Sequence, residues 1–442
     1  MLSFFSLVNL ILLTKPNITK MQTTNRYLVP LTLVISLFFL WAFLHNINPI
    51  LIPHLKKACQ LNDTQSSYID LAVYLAYFLI ALPAGWFMHR FGYRKGIILG
   101  LALYALGSLL VIPAADERSY AFFLFAFFVV ASGATFLETV ANPYVSTLGD
   151  PATSERRLNF AQSFNGIGSF LAPILGGQFI LSGIEYSPEA LNALSATELD
   201  TYLQSEADSV KIPYLIIAGV VILLLLLFVF IRIPETKERN LEEEVPVSSF
   251  SWKVFRHKHF SAAVVAQFFY VAAQVGVGSF FIRYSHQVGG MNEKDAAFFW
   301  GSVAMVGFMV GRFFGTFLMR FVKASKLLAI FALINIILLA IALNTSGYVA
   351  LYAVVATPFF MSIMYPTIFA LGIKGLGEET KIASSFIVMA ILGGAVGPLF
   401  MGMISDARGS MQSAYIVPLI CFAVVFYYAV WGYRIRPASK DV

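Results

Sequence analysis

The sequence predicts an all-α membrane protein with twelve transmembrane helices in two similar six-helix halves. Three observations predict this fold. Hydrophobic residues make up 58% of the chain and charged residues only 12%, whereas a soluble domain carries roughly a quarter charged residues. Apolar segments of about 20 residues, long enough to cross the hydrocarbon of a bilayer, recur along nearly the whole chain. Nearly all Lys and Arg residues lie in the short stretches between those segments or at the segment ends.

The apolar segments are predicted to be helices rather than barrel strands. An unpaired backbone N–H or C=O group in lipid costs several kcal/mol, so only helices and closed barrels span a bilayer. The segments are continuously apolar and lack the period-two alternation of barrel strands. The twelve spans are placed at 30–53, 67–88, 96–115, 119–144, 160–182, 213–234, 260–284, 296–320, 326–344, 349–372, 383–405 and 414–434.

Basic residues separate onto one side of the predicted bundle, here called the basic side. When loops alternate between the two sides, both chain termini fall on the basic side. Its basic residues are Arg90, Arg94, Lys95, Arg156, Arg157, Arg232, Lys237, Arg239, Lys253, Arg256, Lys258, Arg320, Lys323, Lys326, Lys374 and Lys381. The opposite side keeps only Lys56, Lys57, Arg118, Lys211, Lys294 and Arg408. The positive-inside rule therefore places the basic side and both termini in the cytoplasm.

The chain divides into two bundles joined by a charged connector. The predicted parts are a tail at 1–29, a bundle at 30–234, a connector at 235–259, a bundle at 260–434 and a tail at 435–442. The polar, acidic stretch 187–208 is expected to be an external loop. The apolar run Met1–Leu13 lacks a basic leader and is too short to span, so it makes a poor signal peptide. Met21 is an alternative start.

Landmarks recur in the same order in the two bundles. Gly85–Phe91 after span two parallels Gly315–Phe321 after span eight. The remaining pairs are Pro143 and Leu148-Gly149 with Pro366 and Leu371-Gly372, and Gly168, Ala172-Pro173 and Gly176 with Gly393, Gly397-Pro398 and Gly402. This order indicates an internal repeat. Two similar halves in parallel orientation, with a substrate held between them near the midplane, describe the major facilitator transporters.

Composition and motifs exclude several other classes of protein. The net charge of +6 does not indicate a nucleic-acid partner, because the basic residues are distributed as topology signals. The chain has no phosphate-binding Gly-x-x-x-x-Gly-Lys-Ser/Thr pattern, metal-ligand spacing or convincing catalytic triad, so neither an enzyme, a metal site nor a nucleotide-driven pump is expected. The two cysteines, Cys59 and Cys421, are interpreted as small apolar fillers. We expect a monomer that contacts lipid and a small molecule.

Glu138 is a carboxylate within the otherwise apolar span four. An ionisable group at the bilayer centre costs at least about 2.5 kcal/mol and is functional by default. Asn142 is one helical turn away on the same face, and Pro143 frees a backbone carbonyl nearby. A carboxyl group can bind and release a proton as its surroundings alternate between dry and wet, which predicts proton coupling or sugar contact. The alternatives are a pair with a neighbouring helix and a position near the end of the span.

Amides and aromatics in other spans form a candidate sugar site, because amides pair hydroxyl groups and aromatic faces cover C–H surface. The candidate substrate-binding residues are Trp41, His45, Asn46, Asn48, Asn142, Gln162, Asn165, Gln267, Tyr270, Gln274 and Tyr365. For His45, Asn46 and Asn48, interhelical hydrogen bonding is the alternative. Two candidate buried cations are Arg312 in span eight and Arg283 in span seven; Arg312 could pair with a carboxylate of the other half or with span backbone.

Several of these residues lie in stretches that resemble the fucose:proton symporter family of major facilitators. The resemblance covers about Tyr27 to Trp431, and its stretches are Phe39–Ala42, Leu137–Tyr144, Arg157–Asn165, Ala266–Gln274, Ile282–Tyr284, Tyr365–Lys374 and Ser384–Met389. They resemble the fucose branch more than the glucose/galactose branch, in which the glutamate of span four is typically a glutamine. The resemblance implies that Glu138 is the proton-linked carboxylate and that Asn46 and Gln162 contact sugar.

Two positions depart from the family pattern. Pro49 stands where the fucose branch places an aspartate, and His89 stands where an acidic residue usually precedes Arg90. The resemblance implies that the family's aspartate takes part in proton coupling and sugar binding, so Pro49 affects the number of protons carried per sugar and the choice of sugar. It also implies that His89 weakens the contacts that lock the family's gate. The expected gating residues are Arg90, Arg94 and Arg320.

The resemblance implies a secondary active transporter of a bacterial inner membrane that imports a monosaccharide. L-fucose is favoured, and the proton is the coupling ion, with no other cofactor. The alternatives are a glucose/galactose or other hexose transporter, a passive sugar facilitator, and a membrane sensor that binds sugar without moving it.

Overall fold

The chain folds into helices that follow the predicted spans. The computed structural model describes residues 32–43, 46, 55, 58–61, 63–148, 150–180, 194–231, 252–291 and 293–435. Within these ranges every regular element is helical, and ten segments are long and apolar enough to cross a membrane, with a shorter apolar helix at Thr32–Phe43. The predicted all-α membrane fold is confirmed. His45, Asn48 and Pro49, the tail 1–29 with Met21, and most of the connector lie outside the described residues.

The helices of the bundle are numbered α1 to α12 in chain order; they are the eleven apolar helices above and the helix Ser154–Ile180. Their bounds are α1 Thr32–Phe43, α2 Asp63–Phe91, α3 Tyr93–Asp116, α4 Tyr120–Thr147, α5 Ser154–Ile180, α6 Lys211–Phe230, α7 Lys258–Gly289, α8 Glu293–Phe299 continued by Trp300–Leu318, α9 Ala324–Asn344, α10 Gly347–Gly372, α11 Gly377–Arg408 and α12 Met411–Gly432. In the first half α4 packs on α2 and α3, and α6 packs on α3. In the second half α7 packs on α11 and α12, and α9 packs on α10 and α12.

A close approach of two helix backbones occurs at corresponding places in the two halves. A Cβ atom added to Gly168 of α5 would lie 2.4 Å from the carbonyl oxygen of Phe39 in α1. A Cβ atom added to Gly393 of α11 would lie 2.1 Å from the carbonyl oxygen of Phe268 in α7. Only glycine permits these contacts. The equivalent pairs α1 with α5 and α7 with α11 agree with the internal repeat read from the sequence.

We expect Gly393→Val to destabilise the folded protein by more than about 3 kcal/mol, the upper end of usual overpacking costs. The added side chain would meet backbone atoms of Phe268 and Ala272, which cannot move aside as a flexible side chain can. Gly219→Val is the matched control, because no atom lies within 4 Å of its added Cβ. The measurement is the thermal midpoint of the purified variants. Equal midpoints would contradict this account of the α7–α11 contact.

Irregular segments interrupt several helices, and the predicted external loop is partly helical. The stretch 187–208 contains a helix, Ala196–Asp208, which begins with a capping box between Ser195 and Glu198. A π turn occupies Trp300–Ala304 in α8, and a 3-10 turn occupies Ala390–Leu392 in α11. Hydropathy cannot reveal these features, because they depend on local hydrogen bonds. The turn in α11 lies beside α2 of the other half.

Candidate functional site

The candidate site begins with a chain of hydrogen bonds between α4 and α5. Glu138 is only 8% exposed, and Asn142 and Gln162 are also buried. The Asn142 side-chain amide donates to the backbone oxygen of Glu138 over 2.9 Å. The Gln162 amide donates to Asn142 Oδ1 over 3.0 Å. These bonds link the Gln162 and Asn142 amides to the backbone of Glu138, as the one-turn spacing of Glu138 and Asn142 allows.

Arg312 of α8 joins this chain from the second half. Its Nη1 donates to the backbone oxygen of Gln162, to Gln162 Oε1 over 3.1 Å and to Asn165 Oδ1 over 3.0 Å. The guanidinium lies 4.6 Å from the ring centroid of Phe308, a cation–π distance. Arg312 is only 5% exposed. The buried cation therefore bridges the two halves through amide oxygens and through the backbone oxygen of Gln162. The backbone bond is one of the two pairings expected from the sequence.

Groups from both halves act on the Glu138 carboxyl. They are the hydroxyls of Tyr365 in α10 and Tyr77 in α2, and the guanidinium of Arg312. The Tyr365 hydroxyl is buried and forms no hydrogen bond of ordinary geometry within the described part of the chain. It is therefore a donor that the carboxylate or a ligand can engage. The carboxyl group faces the junction of the two halves, where a change in their relative position changes its surroundings.

One face of α7 adds three predicted residues. Gln267, Tyr270 and Gln274 lie one turn apart along the helix, so they share a face. The Tyr270 hydroxyl donates to the Met361 backbone oxygen over 3.0 Å, and its ring centroid lies 6.5 Å from that of Tyr365. Gln267 is fully buried, and both polar atoms of its amide have no partner among the described residues. A buried amide without a partner is costly, which indicates that a ligand or water pairs it.

The two described candidates of the predicted span one, Trp41 and Asn46, have different surroundings. The Asn46 amide donates to the Ala42 backbone oxygen over 2.7 Å and to Ser169 Oγ of α5 over 3.0 Å. This contact between helices is the alternative that the sequence left open for Asn46. Trp41 is 4% exposed and lies in the apolar core with its ring centroid 4.4 Å from that of Phe38.

Polar contacts join the two halves at the basic side. The Lys374 ammonium lies 2.7 Å from Glu155 Oε1. The Asn159 amide donates to Thr367 Oγ1 over 3.1 Å. Helices α2 and α11 also meet closely, since a Cβ atom added to Gly85 would collide with the Ser385 side chain. The basic side is therefore closed between the halves.

The predicted gating arginines take three different positions. Arg90 is exposed, and its guanidinium lies 5.7 Å from the Trp86 ring centroid. Arg94 donates to the backbone oxygens of Phe228 and Val229 at the end of α6, so it stabilises a contact within the first half. Arg320 of the second half lies close enough to the buried Arg156 of the first half for the two cations to repel each other. Arg320 therefore acts across the basic side through like-charge repulsion.

Breaking the Lys374–Glu155 ion pair should loosen the closed basic side. We expect Lys374→Met and Glu155→Gln each to raise the population of the open basic side a few-fold. Lys374 is partly exposed, and such pairs are worth about 1 kcal/mol or less. The measurement is the distance distribution between spin labels on the basic-side ends of α5 and α10. The exchanged pair Lys374→Glu with Glu155→Lys is the control and should restore the closed distance. An unchanged distribution in the single variants would contradict the role of the pair.

Two features of the site did not follow from the sequence reasoning. Tyr77 is a single hydroxyl within an apolar span and carried no motif. The sequence marked Arg312 as a buried cation, but its partners Gln162 and Asn165 depend on how the halves pack.

Chemically, the arrangement offers a carboxyl group that can exchange a proton, amides that pair hydroxyls, and tyrosine rings that cover apolar surface.

Comparison with known proteins gives the family. The Major Facilitator Superfamily profile matches residues 33–391. The chain is 42% identical to the L-fucose-proton symporter of Escherichia coli, over 92% of this chain and 93% of that protein. It is 40% identical to a glucose/galactose transporter of Brucella abortus, over 94% and 96%. The crystal structure of a Major Facilitator Superfamily transporter, FucP, in the outward conformation matches with a TM-score of 0.85 at 41% identity, over 91% of this chain and 98% of that one. The chain therefore belongs to the Major Facilitator Superfamily, within the family that includes these symporters and glucose/galactose transporters.

Proposed function

We propose that the protein imports a monosaccharide, L-fucose, together with a proton by alternating access. The observation that carries the proposal is the buried Glu138 carboxyl, which groups from both halves approach. A carboxylate at the junction of two moving halves changes its exposure and its partners in each cycle. Its proton affinity is then linked to the position of the halves. The proton is the coupling ion, and no other cofactor takes part.

Neutral polar groups at the same junction support a sugar as the substrate. Gln162, Asn165 and Gln267 offer amides, and Tyr270 and Tyr365 offer aromatic faces. Amides donate to and accept from hydroxyl groups, as a neutral ligand with many hydroxyls requires. L-fucose is favoured because a relative at 42% identity is an L-fucose-proton symporter. Glucose or galactose is the second candidate, because a relative at 40% identity transports them.

The basic side faces the cytoplasm of a bacterial cell in this proposal, and the protein works as a monomer in the inner membrane. The positive-inside rule supports the orientation. With that orientation, the Lys374–Glu155 pair and the Asn159–Thr367 contact close the cytoplasmic path to the site. The sugar would then enter the described state from the opposite side.

Competition among unlabelled sugars for uptake tests the substrate. The experiment uses the full chain in proteoliposomes, a labelled monosaccharide and a panel of unlabelled L-fucose, D-galactose, D-glucose and D-arabinose. L-fucose should compete at the lowest concentration. Stronger competition by galactose or glucose would assign the protein to the second candidate. Sugar binding without movement of label in counterflow would indicate a sensor and would refute transport.

Asn46→Ala and Gln162→Ala should each weaken sugar binding by roughly 1 to 3 kcal/mol, the usual cost of losing a partner for a buried polar group. Calorimetry with purified protein measures the affinity. Asn344→Ala is a matched control, because Asn344 is exposed and donates to a backbone oxygen four residues earlier, as Asn46 does. Wild-type affinity in both test variants would refute the site.

A further inference from the structure

An apolar cleft opens between the two halves, and none of its lining residues belongs to the polar site. Its volume is about 390 Å³, within the range of small-molecule pockets. Phe78 of α2 forms one wall. The other walls come from the connector and the second half and include Trp252, Val265, Phe269 and Leu392. The lining is almost wholly apolar, so the cleft suits a hydrocarbon chain and not a sugar.

The depth of the cleft matches the acyl region of one bilayer leaflet. Helix α7 begins at Lys258, and its residues Val264, Val265, Phe268 and Phe269 line the cleft. At a rise of about 1.5 Å per residue, these residues lie about 9 to 16 Å from the start of the helix. One leaflet contributes about half of the roughly 30 Å of hydrocarbon. The cleft therefore runs through the leaflet on the basic side.

The mouth of the cleft carries groups that suit a lipid headgroup. Arg256 and Lys258, beside the start of α7, are both exposed. Trp252, in the same short connector helix as Arg256, is 64% exposed and lies 5.3 Å from Phe386 between ring centroids. Tryptophan is enriched at the level of lipid headgroups. Clustered basic residues on the cytoplasmic side of membrane helices attract anionic headgroups.

We propose that this cleft binds one anionic glycerophospholipid. An acyl chain occupies the space between α2, α7 and α11, and the phosphate lies on Arg256 and Lys258. The positive charge of Arg256 and Lys258 selects an anionic headgroup over a zwitterionic one, and the apolar walls bind the acyl chain.

The bound lipid stabilises the state in which the basic side is closed. Phe78 belongs to the first half, whereas the other lining residues belong to the connector and the second half. Separation of α2 from α11 on the basic side removes one wall of the cleft. A ligand shifts an equilibrium toward the state that binds it better. The anionic lipid therefore acts on the alternation of the halves without contacting the polar site.

Native mass spectrometry of the full chain in detergent tests the proposal, with phosphatidylglycerol and phosphatidylcholine titrated separately. One phosphatidylglycerol should bind at least about tenfold more tightly than phosphatidylcholine. Arg256→Gln with Lys258→Gln should weaken phosphatidylglycerol binding by about fivefold per charge removed and leave phosphatidylcholine binding unchanged. Lys323→Gln with Lys326→Gln, on exposed residues beside α9, is the matched control. Equal affinity for the two lipids would overturn the proposal.

A second pair of variants tests the cleft itself. Val265→Trp places a bulky side chain in the cleft, and Ile337→Trp places the same side chain on α9, where the native residue is similarly exposed. Val265→Trp should reduce phosphatidylglycerol binding at least fivefold, and Ile337→Trp should not. Unchanged binding in Val265→Trp would place the lipid elsewhere. A thermal midpoint that falls in Val265→Trp without bound lipid would assign the cleft to a segment of the chain and overturn the proposal.

Discussion

Replacing Glu138 by glutamine should abolish uptake driven by a proton gradient, with a loss of at least about 100-fold. Glutamine keeps the shape of the side chain and an oxygen acceptor near Tyr77 and Tyr365, but it cannot exchange a proton. Sugar counterflow, which needs no net proton movement, should persist. The measurement compares concentrative uptake in vesicles under an imposed pH gradient with counterflow in the same vesicles.

The control for this variant is Glu206→Gln. Glu206 is also a buried carboxylate, but it lies in the helix Ala196–Asp208, which packs on α3 and α6 of the first half. We expect its uptake to stay fully coupled. Undiminished concentrative uptake by Glu138→Gln would remove Glu138 from the coupling role. Loss of both uptake and counterflow would instead indicate that Glu138 is needed for sugar binding.

Replacing Arg312 by methionine should slow counterflow by more than about 30-fold, equivalent to roughly 2 kcal/mol. The guanidinium donates hydrogen bonds to two oxygens of Gln162 and to one of Asn165. Each buried acceptor left without a donor costs about 1 to 3 kcal/mol. The lost hydrogen bonds lie between α5 and α8, so their free-energy cost weakens the contact that joins the two halves. Arg312→Lys should recover part of the rate, because an ammonium donates but lacks the planar fork.

Arg283→Met is the matched control for the loss of a cation. Arg283 is exposed, so its prediction as a buried cation is wrong. Its guanidinium lies 4.5 Å from the Phe280 ring centroid, so this variant also removes a cation–π contact from a membrane helix. Its counterflow should match that of the wild type. A wild-type rate in Arg312→Met would contradict the bridging role of Arg312 at the junction of the halves.

The architecture could be predicted because lipid imposes a simple rule. Each spanning segment must be apolar and helical, and the described helices lie at the predicted spans. The internal repeat was readable for a similar reason, since Gly168 and Gly393 allow close backbone approaches that a larger residue would block. Helix ends were less readable. The helix α7, for example, extends to Gly289, past its apolar span, because polar turns can continue a helix beyond the hydrocarbon.

The site was predictable one residue at a time and not as an arrangement. Glu138 was evident because a carboxylate in an apolar span is costly. Its contact with Tyr77 was not, because one tyrosine among many aromatics carries no signal. The link from Arg312 to Gln162 joins residues far apart in sequence and depends on how the two halves pack. Sequence patterns report which residues are polar within a span, and tertiary packing decides which of them meet.

Sugar-dependent proton movement tests the central claim most directly. Proteoliposomes containing the wild-type protein, with no imposed gradient, are given L-fucose while the pH of the medium is recorded. We predict that the medium becomes more alkaline as sugar enters, and that Glu138→Gln removes this change. Entry of labelled L-fucose with no change in the pH of the medium would contradict the account.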